Sequence, residues 1–555
     1  MSGSDTNVPK WTRRALIVTG TAGGAALAAF GPGVWAVGRT LPRAVVSVTD
    51  FGATGRGTVN DTAAFQRACD ELSGGGIVQV PPGTYLVDRV VIRHRGITVQ
   101  LADAATVRKW GRAGLQSRGI FEVNGLADAA FELRGGSVDL NGEGPQGIGV
   151  TGRIPNLYAS LTVATVTGIA GPTNAAVYAL RSTGIAVRGT RIRNSGENGL
   201  LFRNCADTVV EDCQFENLAN WAIEYSFVGG DADGGSGPKP RMGNCSVARC
   251  TFTDIDDLAL GTGNGVGIGG GGGGGLGGFR NFAISDCAFL RCKGDIHFEF
   301  ETGTWIDGLR ISRIQSVDAR QGSLGLISVR NAVVDDYSIV DPGSAPFALL
   351  IPERPEVFGI ALSSGFRDIT LRNVRVRDTR SGRQIGGRDA SATRGSIRLR
   401  TASPHFVASD VGAWIGVTDA NPSSTTYIGK VRRVISATEI ELDHPVGHTV
   451  SGAHFALGGV TRNGIILTAG DDVTFDGVTI EAGAAADPAS VAEASAIRLY
   501  RVGGRVSFAN TAIAAPGARD ARKPVAVRVI ESTASLVGLN AATITGYSAR
   551  TGNPR

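Results

Sequence analysis

Acidic side chains and one histidine recur at alternating positions of three strand-like segments. They are Glu224, Asp257, and the pair His297 and Glu299. Successive residues of a strand point to opposite faces, so these side chains are expected to face away from their apolar neighbours. Carboxylates on neighbouring strands raise one another's pKa, as a general acid requires. The pattern therefore predicts an outward acidic stripe for glycoside hydrolysis, with Glu299 as the expected acid.

Other charged residues lie near this stripe by the same alternation and are expected to bind substrate. They are Arg203, Asp231, Asp233, Asp256, Asp295, Glu301 and Arg330. Glycine-rich segments at 229–237 and 261–278 border the stripe and are typical of loops beside a groove. The alternative is a solvated face, because alternation forces polar residues outward on any half-buried sheet.

Three copies of a Cys-x-Phe motif supply the elements that would position the stripe. Cys213, Cys250 and Cys287 are each followed two residues later by phenylalanine, at intervals of 37 residues. In a stacked solenoid, equivalent positions of successive coils lie above one another. The spacing therefore predicts an inward cysteine ladder beside a phenylalanine ladder, with unpaired thiols acting as small buried hydrophobes.

The segment 47–87 predicts how the solenoid begins. It contains Asp-Phe-Gly-Ala, Asn-Asp-Thr, three consecutive glycines and Pro-Pro-Gly-Thr-Tyr. Phe65, Ala68, Cys69 and Leu72 share one face of a predicted short helix that Asp61 could cap. This segment resembles the N-terminal cap of the pectate-lyase and polygalacturonase superfamily. The resemblance implies an all-β, single-stranded, right-handed parallel β-helix with an N-terminal cap helix.

The resemblance also implies a carbohydrate-active enzyme that binds an extended polysaccharide. Of the polygalacturonase motifs N-T-D, D-D, G-H-G and R-I-K, only the second has a counterpart here, in Asp256 and Asp257. A calcium-assisted polysaccharide lyase is the alternative, with these aspartates and Asp231 and Asp233 as calcium ligands and Arg203 or Arg330 as base. A non-catalytic glycan-binding or surface protein is a third possibility. For the hydrolase, no cofactor or metal is expected.

Residues 380–462 interrupt the coil pattern with short alternating strands at hairpin spacing. We interpret them as an inserted β-module, which divides the rest into a cap at 39–90, a β-helix at 91–379 and C-terminal coils at 463–555. The module holds four of the six histidines, which are expected to be scattered surface residues and not metal ligands.

The N-terminal 38 residues are expected to be a twin-arginine export signal. Arg13 and Arg14 precede a mildly apolar, Gly/Ala-rich run. No later apolar stretch is long enough to span a bilayer. The net charge of +5 over 555 residues indicates no strongly basic face and hence no nucleic-acid partner. The sequence thus predicts a secreted or cell-surface protein without a membrane anchor after signal cleavage.

Overall fold

The structure is a computed structural model of the 555-residue chain. It describes residues 43–110, 119–128, 130–141, 175–228, 243–255, 265–273, 277–300, 303–343, 358–380, 383–420, 426–483, 494–515, 525–547 and 549–552. The predicted signal at 1–38 lies outside these ranges. Within them, no helix is long and apolar enough to cross a membrane.

A short cap closes the N-terminal end of the fold. Helix Thr62–Glu71 buries the predicted apolar face, including Phe65 and Leu72, against the first coil. The predicted cap by Asp61 is wrong, since its buried carboxylate accepts from the backbone N–H of Thr54 at 2.8 Å. Asp61 still occupies the N-cap position, but the side chain that bonds to the start of the helix is that of Asn60, which accepts from the N–H of Thr62 at 2.9 Å.

Behind the cap the chain winds through three parallel ladders of strands, so the fold is the predicted right-handed parallel β-helix. The first ladder contains Val45–Ser47, Gly76–Val80, Ile97–Leu101, Phe131–Arg134, Thr183–Arg188, Ala206–Glu211, Gly243–Ala248, Gly277–Ser285, Thr304–Asp307, Asp471–Asp476, Gly503–Ala509 and Ser535–Val537. The second contains Arg56–Asn60, Gly83–Val87, Ala105–Lys109, Ser137–Asp139, Arg191–Ser195, Gln214–Leu218, Thr251–Ile255, Ala288–Leu290, Thr479–Glu481, Ala512–Ala514 and Thr543–Thr545. Three long strands bend from the first ladder into the second: Arg310–Val317, Val329–Val340 and Arg367–Arg377.

The third ladder carries the predicted acidic stripe. Its described strands are Val90–Ile92, Phe121–Asn124, Val177–Leu180, Leu200–Arg203, Ile223–Val228, Val266–Gly273, Gly294–Phe300, Gly322–Ile327, Phe358–Ser363, Asn463–Thr468, Ser495–Tyr500, Val525–Ile530 and Ala549–Gly552. Apolar residues of all three ladders meet in one continuous core inside the coils.

The Cys-x-Phe motifs form the predicted inward ladders. Phe252 lies opposite Phe215 and Phe289 on the neighbouring coils, with ring centroids 5.0 and 4.6 Å apart and rings nearly parallel. The three cysteines stack beside them, and all seven cysteines of the chain are buried and unpaired. Burial raises the pKa of thiols such as Cys245, to about 11, which disfavours the reactive thiolate.

The predicted β-module is a small closed antiparallel barrel with its own apolar core. Its strands are Gln384–Ala392, Arg398–Thr401, Trp414–Val417, Tyr427–Ser436, Glu439–Leu442 and Val450–Gly458. Strand Phe358–Ser363 before the barrel pairs directly with Asn463–Thr468 after it, so the barrel is inserted between consecutive coils. It contacts the β-helix through Asp318, which accepts from the indole N–H of Trp414 at 3.0 Å and pairs with Lys430.

We predict that the barrel can be removed without unfolding the β-helix. The backbone N–H of Gly459 donates to the carbonyl of Arg383 at 2.7 Å, so a few glycines can join these two residues. The variant should keep one cooperative transition in chemical denaturation, because the coils on either side already pair. Deleting the barrel also removes Trp414 and Lys430, the partners of Asp318, so a companion variant combines the deletion with Asp318→Asn. Loss of cooperative unfolding in both variants would show that the barrel is part of the core unit.

Candidate functional site

The register of the third ladder differs from the prediction at one strand. Glu224 lies opposite Gly269, and Gly269 lies opposite His297. The expected middle strand at 258–260 is therefore wrong, because Val266–Gly273 occupies that rung. Asp257 lies outside the described residues, as do Asp231, Asp233, Asp256 and Glu301.

The glycine strand has a packing reason to occupy this rung. A methyl group at Gly269 would overlap the indole of Trp221 and the backbone carbonyl of His297. A methyl group at Gly325, on the next strand, would overlap the imidazole of His297. Because neither glycine has a side chain, the rings of Trp221 and His297 can lie across the sheet surface, with their centroids 6.4 Å apart.

Glu224 is a carboxyl group of the outward face whose pKa is raised. Its side chain is half-buried, while its neighbours Ile223 and Tyr225 point into the core as predicted. Asn198, itself buried, donates its amide N–H to Oε2 of Glu224 at 2.6 Å. Burial raises the pKa of Glu224, while the positive charge of Arg203 and the Asn198 bond oppose that rise. A carboxyl group in this state is suited to donate a proton.

His297 and Glu299 lie on the same outward face, two strands away. Nε2 of His297 is 3.4 Å from a carboxylate oxygen of Glu299, and the two side chains are 31% and 68% exposed. Glu299 lies opposite Gly271, whereas Glu224 lies opposite Gly269, so Glu299 is two strands away and two residues further along the strand direction. With the usual spacing of strands and residues, the backbones of Glu224 and Glu299 are roughly 12 Å apart. The exposed Glu299 is accessible to water, so the pair offers one buried acid and one open carboxylate.

Asp295 does not belong to the stripe. It is the second residue of strand Gly294–Phe300, at a position that the pairing with both neighbouring strands skips, and its side chain is buried with 1% exposure. Ser323 donates to its Oδ2 at 2.6 Å, and the hydroxyl of Tyr337 lies 2.8 Å from Ser323 Oγ. Asp295 therefore cannot crowd Glu299, which removes one of the three carboxylates expected to raise the pKa of Glu299, while the other two, Asp257 and Glu301, lie outside the described residues.

Burial raises the pKa of Asp295 to about 7. Hydrogen bonds from the hydroxyls of Ser316 and Ser323 act in the opposite direction and lower it. The folded state then binds this proton more tightly than the unfolded chain, so the contribution of Asp295 to stability should fall as pH rises from about 4 to about 7. At pH 8, Asp295→Asn should raise the free energy of unfolding by about 1–3 kcal/mol. The substitution removes the cost of ionising or protonating Asp295, about 4 kcal/mol from its pKa shift, but part of this gain is offset because an amide is buried instead.

The measurement is urea unfolding of wild type and Asp295→Asn from pH 4 to 8. Asp307→Asn is the control, because that half-buried residue faces outward on the first ladder. A stability difference between Asp295→Asn and wild type that does not grow in favour of the variant over this pH range would contradict the buried, protonated carboxyl group.

Arg203 and Arg330 are not equivalent, although both were expected to face the same groove. Arg203 ends strand Leu200–Arg203 opposite Ser226, beside Glu224. Arg330 lies beyond a turn at Ser328, on the first ladder opposite Asp307, and its guanidinium stacks over Trp305 at 4.5 Å. The turn redirects the chain before Arg330, so alternation counted from the preceding strand does not apply to it.

Sequence reasoning missed Asn198, Trp221, Gly269 and Gly325 as parts of the site. A tryptophan two residues before a strand and glycines at outward positions within strands were the available signals. Among the described residues, no group of three or more His, Cys, Asp or Glu side chains could hold a metal ion. The four aspartates proposed as calcium ligands lie outside those residues.

Comparisons with known proteins relate this chain to parallel β-helix proteins. The family model described as rhamnogalacturonase A/epimerase, pectate lyase-like, matches residues 45–103, which contain the cap. The plasmin and fibronectin-binding protein A of Streptococcus pneumoniae (strain ATCC BAA-255 / R6) is 30% identical over 110 residues. That match covers 18% of this chain and only 15% of the relative.

Solved structures with a similar backbone include one adhesin and two enzymes. The surface adhesin PfbA of Streptococcus pneumoniae has a TM-score of 0.48 at 13% identity, over 85% of this chain and 90% of the adhesin. The GH87 α-1,3-glucanase catalytic unit of Streptomyces thermodiastaticus strain HF3-3 scores 0.44 at 13% identity, over 92% and 70%. The family 28 exopolygalacturonase of Yersinia enterocolitica scores 0.39 at 13% identity, over 92% and 78%.

Proposed function

We propose that this protein is an exported glycoside hydrolase in which Glu224 is the general acid. The observation that carries this proposal is the half-buried Glu224, whose pKa is raised by burial while it faces an open surface that also holds Glu299. A solvated face needs neither the buried Asn198 that orients Glu224 nor the glycines that seat Trp221 and His297.

In this mechanism Glu224 protonates the glycosidic oxygen as the bond breaks. Glu299 acts as base on a water molecule at the opposite side of the sugar, with Nε2 of His297 3.4 Å from its carboxylate. The wide spacing of the two backbones suits an inverting reaction, for which carboxyl groups lie about 6.5–9.5 Å apart. Trp221 supplies an aromatic surface for the sugar ring, and Arg203 and Asp257 remain candidate substrate-binding and base residues.

A screen of polysaccharides tests the reaction class. New reducing ends without ultraviolet absorbance would support hydrolysis. An absorbing, unsaturated product would instead support the lyase alternative, in which Arg203 is the candidate base. Saturable glycan binding with no product would support a non-catalytic surface protein, the alternative favoured by the match to a plasmin- and fibronectin-binding relative.

Export by the twin-arginine route belongs to the same proposal. That route moves folded proteins, which suits a chain whose seven cysteines are buried and unpaired. Replacing Arg13 and Arg14 together by lysine should abolish export, measured as protein retained in the cytoplasm of the expressing bacterium. Retention should not occur when Lys10 is replaced by arginine. Unchanged export of the double variant would contradict the signal.

A further inference from the structure

The two carboxylate oxygens of Glu224 lie in different surroundings. Oε2 accepts the 2.6 Å hydrogen bond from the amide of buried Asn198. The backbone N–H of Trp221 donates to Oδ1 of that amide at 3.3 Å, so the NH₂ group of Asn198 must face Glu224. Among the described residues, no group hydrogen-bonds to Oε1 of Glu224, and this oxygen is not buried. Glu224 is therefore held by one oxygen and presents the other to the surface of the sheet.

This arrangement fixes where Glu224 carries its proton. In a protonated carboxyl group the carbonyl oxygen is the better acceptor, so the bond from Asn198 to Oε2 leaves the O–H on Oε1. The indole of Trp221 lies over Gly269, which is directly opposite Glu224 on the next strand. A sugar ring resting on that indole would therefore lie beside Oε1.

Few charged groups of the described residues act on Glu224. The strands on either side place Leu201 and Gly269, both uncharged, directly opposite it. Arg203 stabilises the ionised form through its positive charge. The remaining titratable groups around the site are buried Glu197 at the corner, and His297 and Glu299 two strands away. The protonation of Glu224 thus depends on Arg203, Asn198 and the exposure of Oε1 to water.

We propose that glycan binding at this site is coupled to proton uptake by Glu224, so that the substrate is bound with the catalytic proton already in place. The inference rests on the proposed function and deepens it by assigning how the site is regulated. A glycosidic oxygen carries no hydrogen and can only accept, so it bonds to a protonated Oε1 and is repelled by an ionised one. The sugar also displaces water from Oε1, which disfavours the charged form. The proton comes from the solvent, bonds to Oε1 and leaves with the glycosidic oxygen when the glycosidic bond breaks.

Calorimetric titration of the whole chain tests this coupling independently of cleavage. The background is Glu299→Gln, which lacks the proposed base, so the probes persist during the measurement. The probes are four- to six-residue oligosaccharides from cellulose, chitin, xylan, pectin and α-1,3-glucan. For the sugar that binds, Kd should rise between pH 5 and 8, by up to about tenfold per pH unit once free Glu224 ionises. Binding heats in buffers of different ionisation enthalpy should report uptake of up to one proton per ligand.

Two further variants assign the proton to a residue. Adding Glu224→Gln to this background should abolish the pH dependence and the proton uptake, because glutamine is uncharged throughout this range. Adding Glu216→Gln is the control and should leave both unchanged, since Glu216 lies on the second ladder. A pH dependence that persists after Glu224→Gln would assign it to another group, such as His297, and overturn the inference.

The outcomes separate this inference from the proposed hydrolase. Proton-linked binding that is lost with Glu224→Gln, without any cleavage by the wild type, would support the coupling while rejecting the hydrolase. Cleavage by the wild type together with pH-independent binding would overturn the coupling and leave the hydrolase standing. Absence of binding by every probe would reject both.

Discussion

Replacing Glu224 by glutamine should lower the rate of glycan cleavage at least about 100-fold while the fold remains intact. Glutamine keeps the size of the side chain and can still bond to Asn198, but it has no proton to donate at the reacting oxygen. Activity of the wild type should also fall as pH rises through the raised pKa of Glu224, because the acid must be protonated. This alkaline fall should be absent from the residual activity of the variant.

Glu216→Gln is the matched control for this experiment. Glu216 is likewise half-buried on an outward position, but it lies on the second ladder and pairs with Arg191. It should retain normal activity, whereas Glu299→Gln should lose it. If Glu224→Gln, Glu299→Gln and Asp257→Asn all keep near-normal rates, the acidic stripe is only a solvated face.

Replacing Phe252 by alanine should destabilise the fold by about 3–5 kcal/mol. Its ring is fully buried between Phe215 and Phe289, so the substitution removes two stacking contacts and leaves a cavity in the middle of the ladder. Neighbouring coils hold both flanking rings in place, which limits how far the cavity can collapse. The measurement is the free energy of unfolding in urea.

Thr251→Ala provides the control for Phe252→Ala. Thr251 is the preceding residue on the same strand and points to solvent, so its loss should change stability by less than about 0.5 kcal/mol. A cost below about 1 kcal/mol for Phe252→Ala would mean that the stacked rings do not form one packed ladder.

Local patterns were sufficient for the architecture. The 37-residue repeat specified the stacked cysteines and phenylalanines, because every coil of a solenoid must place apolar residues at the same inward level. Alternation specified that Ile223 and Tyr225 face inward and Glu224 outward. The change to hairpin-spaced strands marked the inserted barrel. Each of these features depends on neighbours in sequence or on one repeat length.

The composition of the site depended on contacts between distant segments. The rung beside Glu224 is filled by Val266–Gly273, where Gly269 leaves room for the indole of Trp221, while Gly325 on a later strand leaves room for the imidazole of His297. Asp295 departs from the alternation rule at a position that the ladder pairing skips, and Arg330 departs from it because it follows a turn at Ser328. The sequence by itself therefore determined the parallel β-helix and its repeating core, since alternation holds within a strand. Only the tertiary structure decided which charged groups share the open face, because turns and packing between coils reset that alternation.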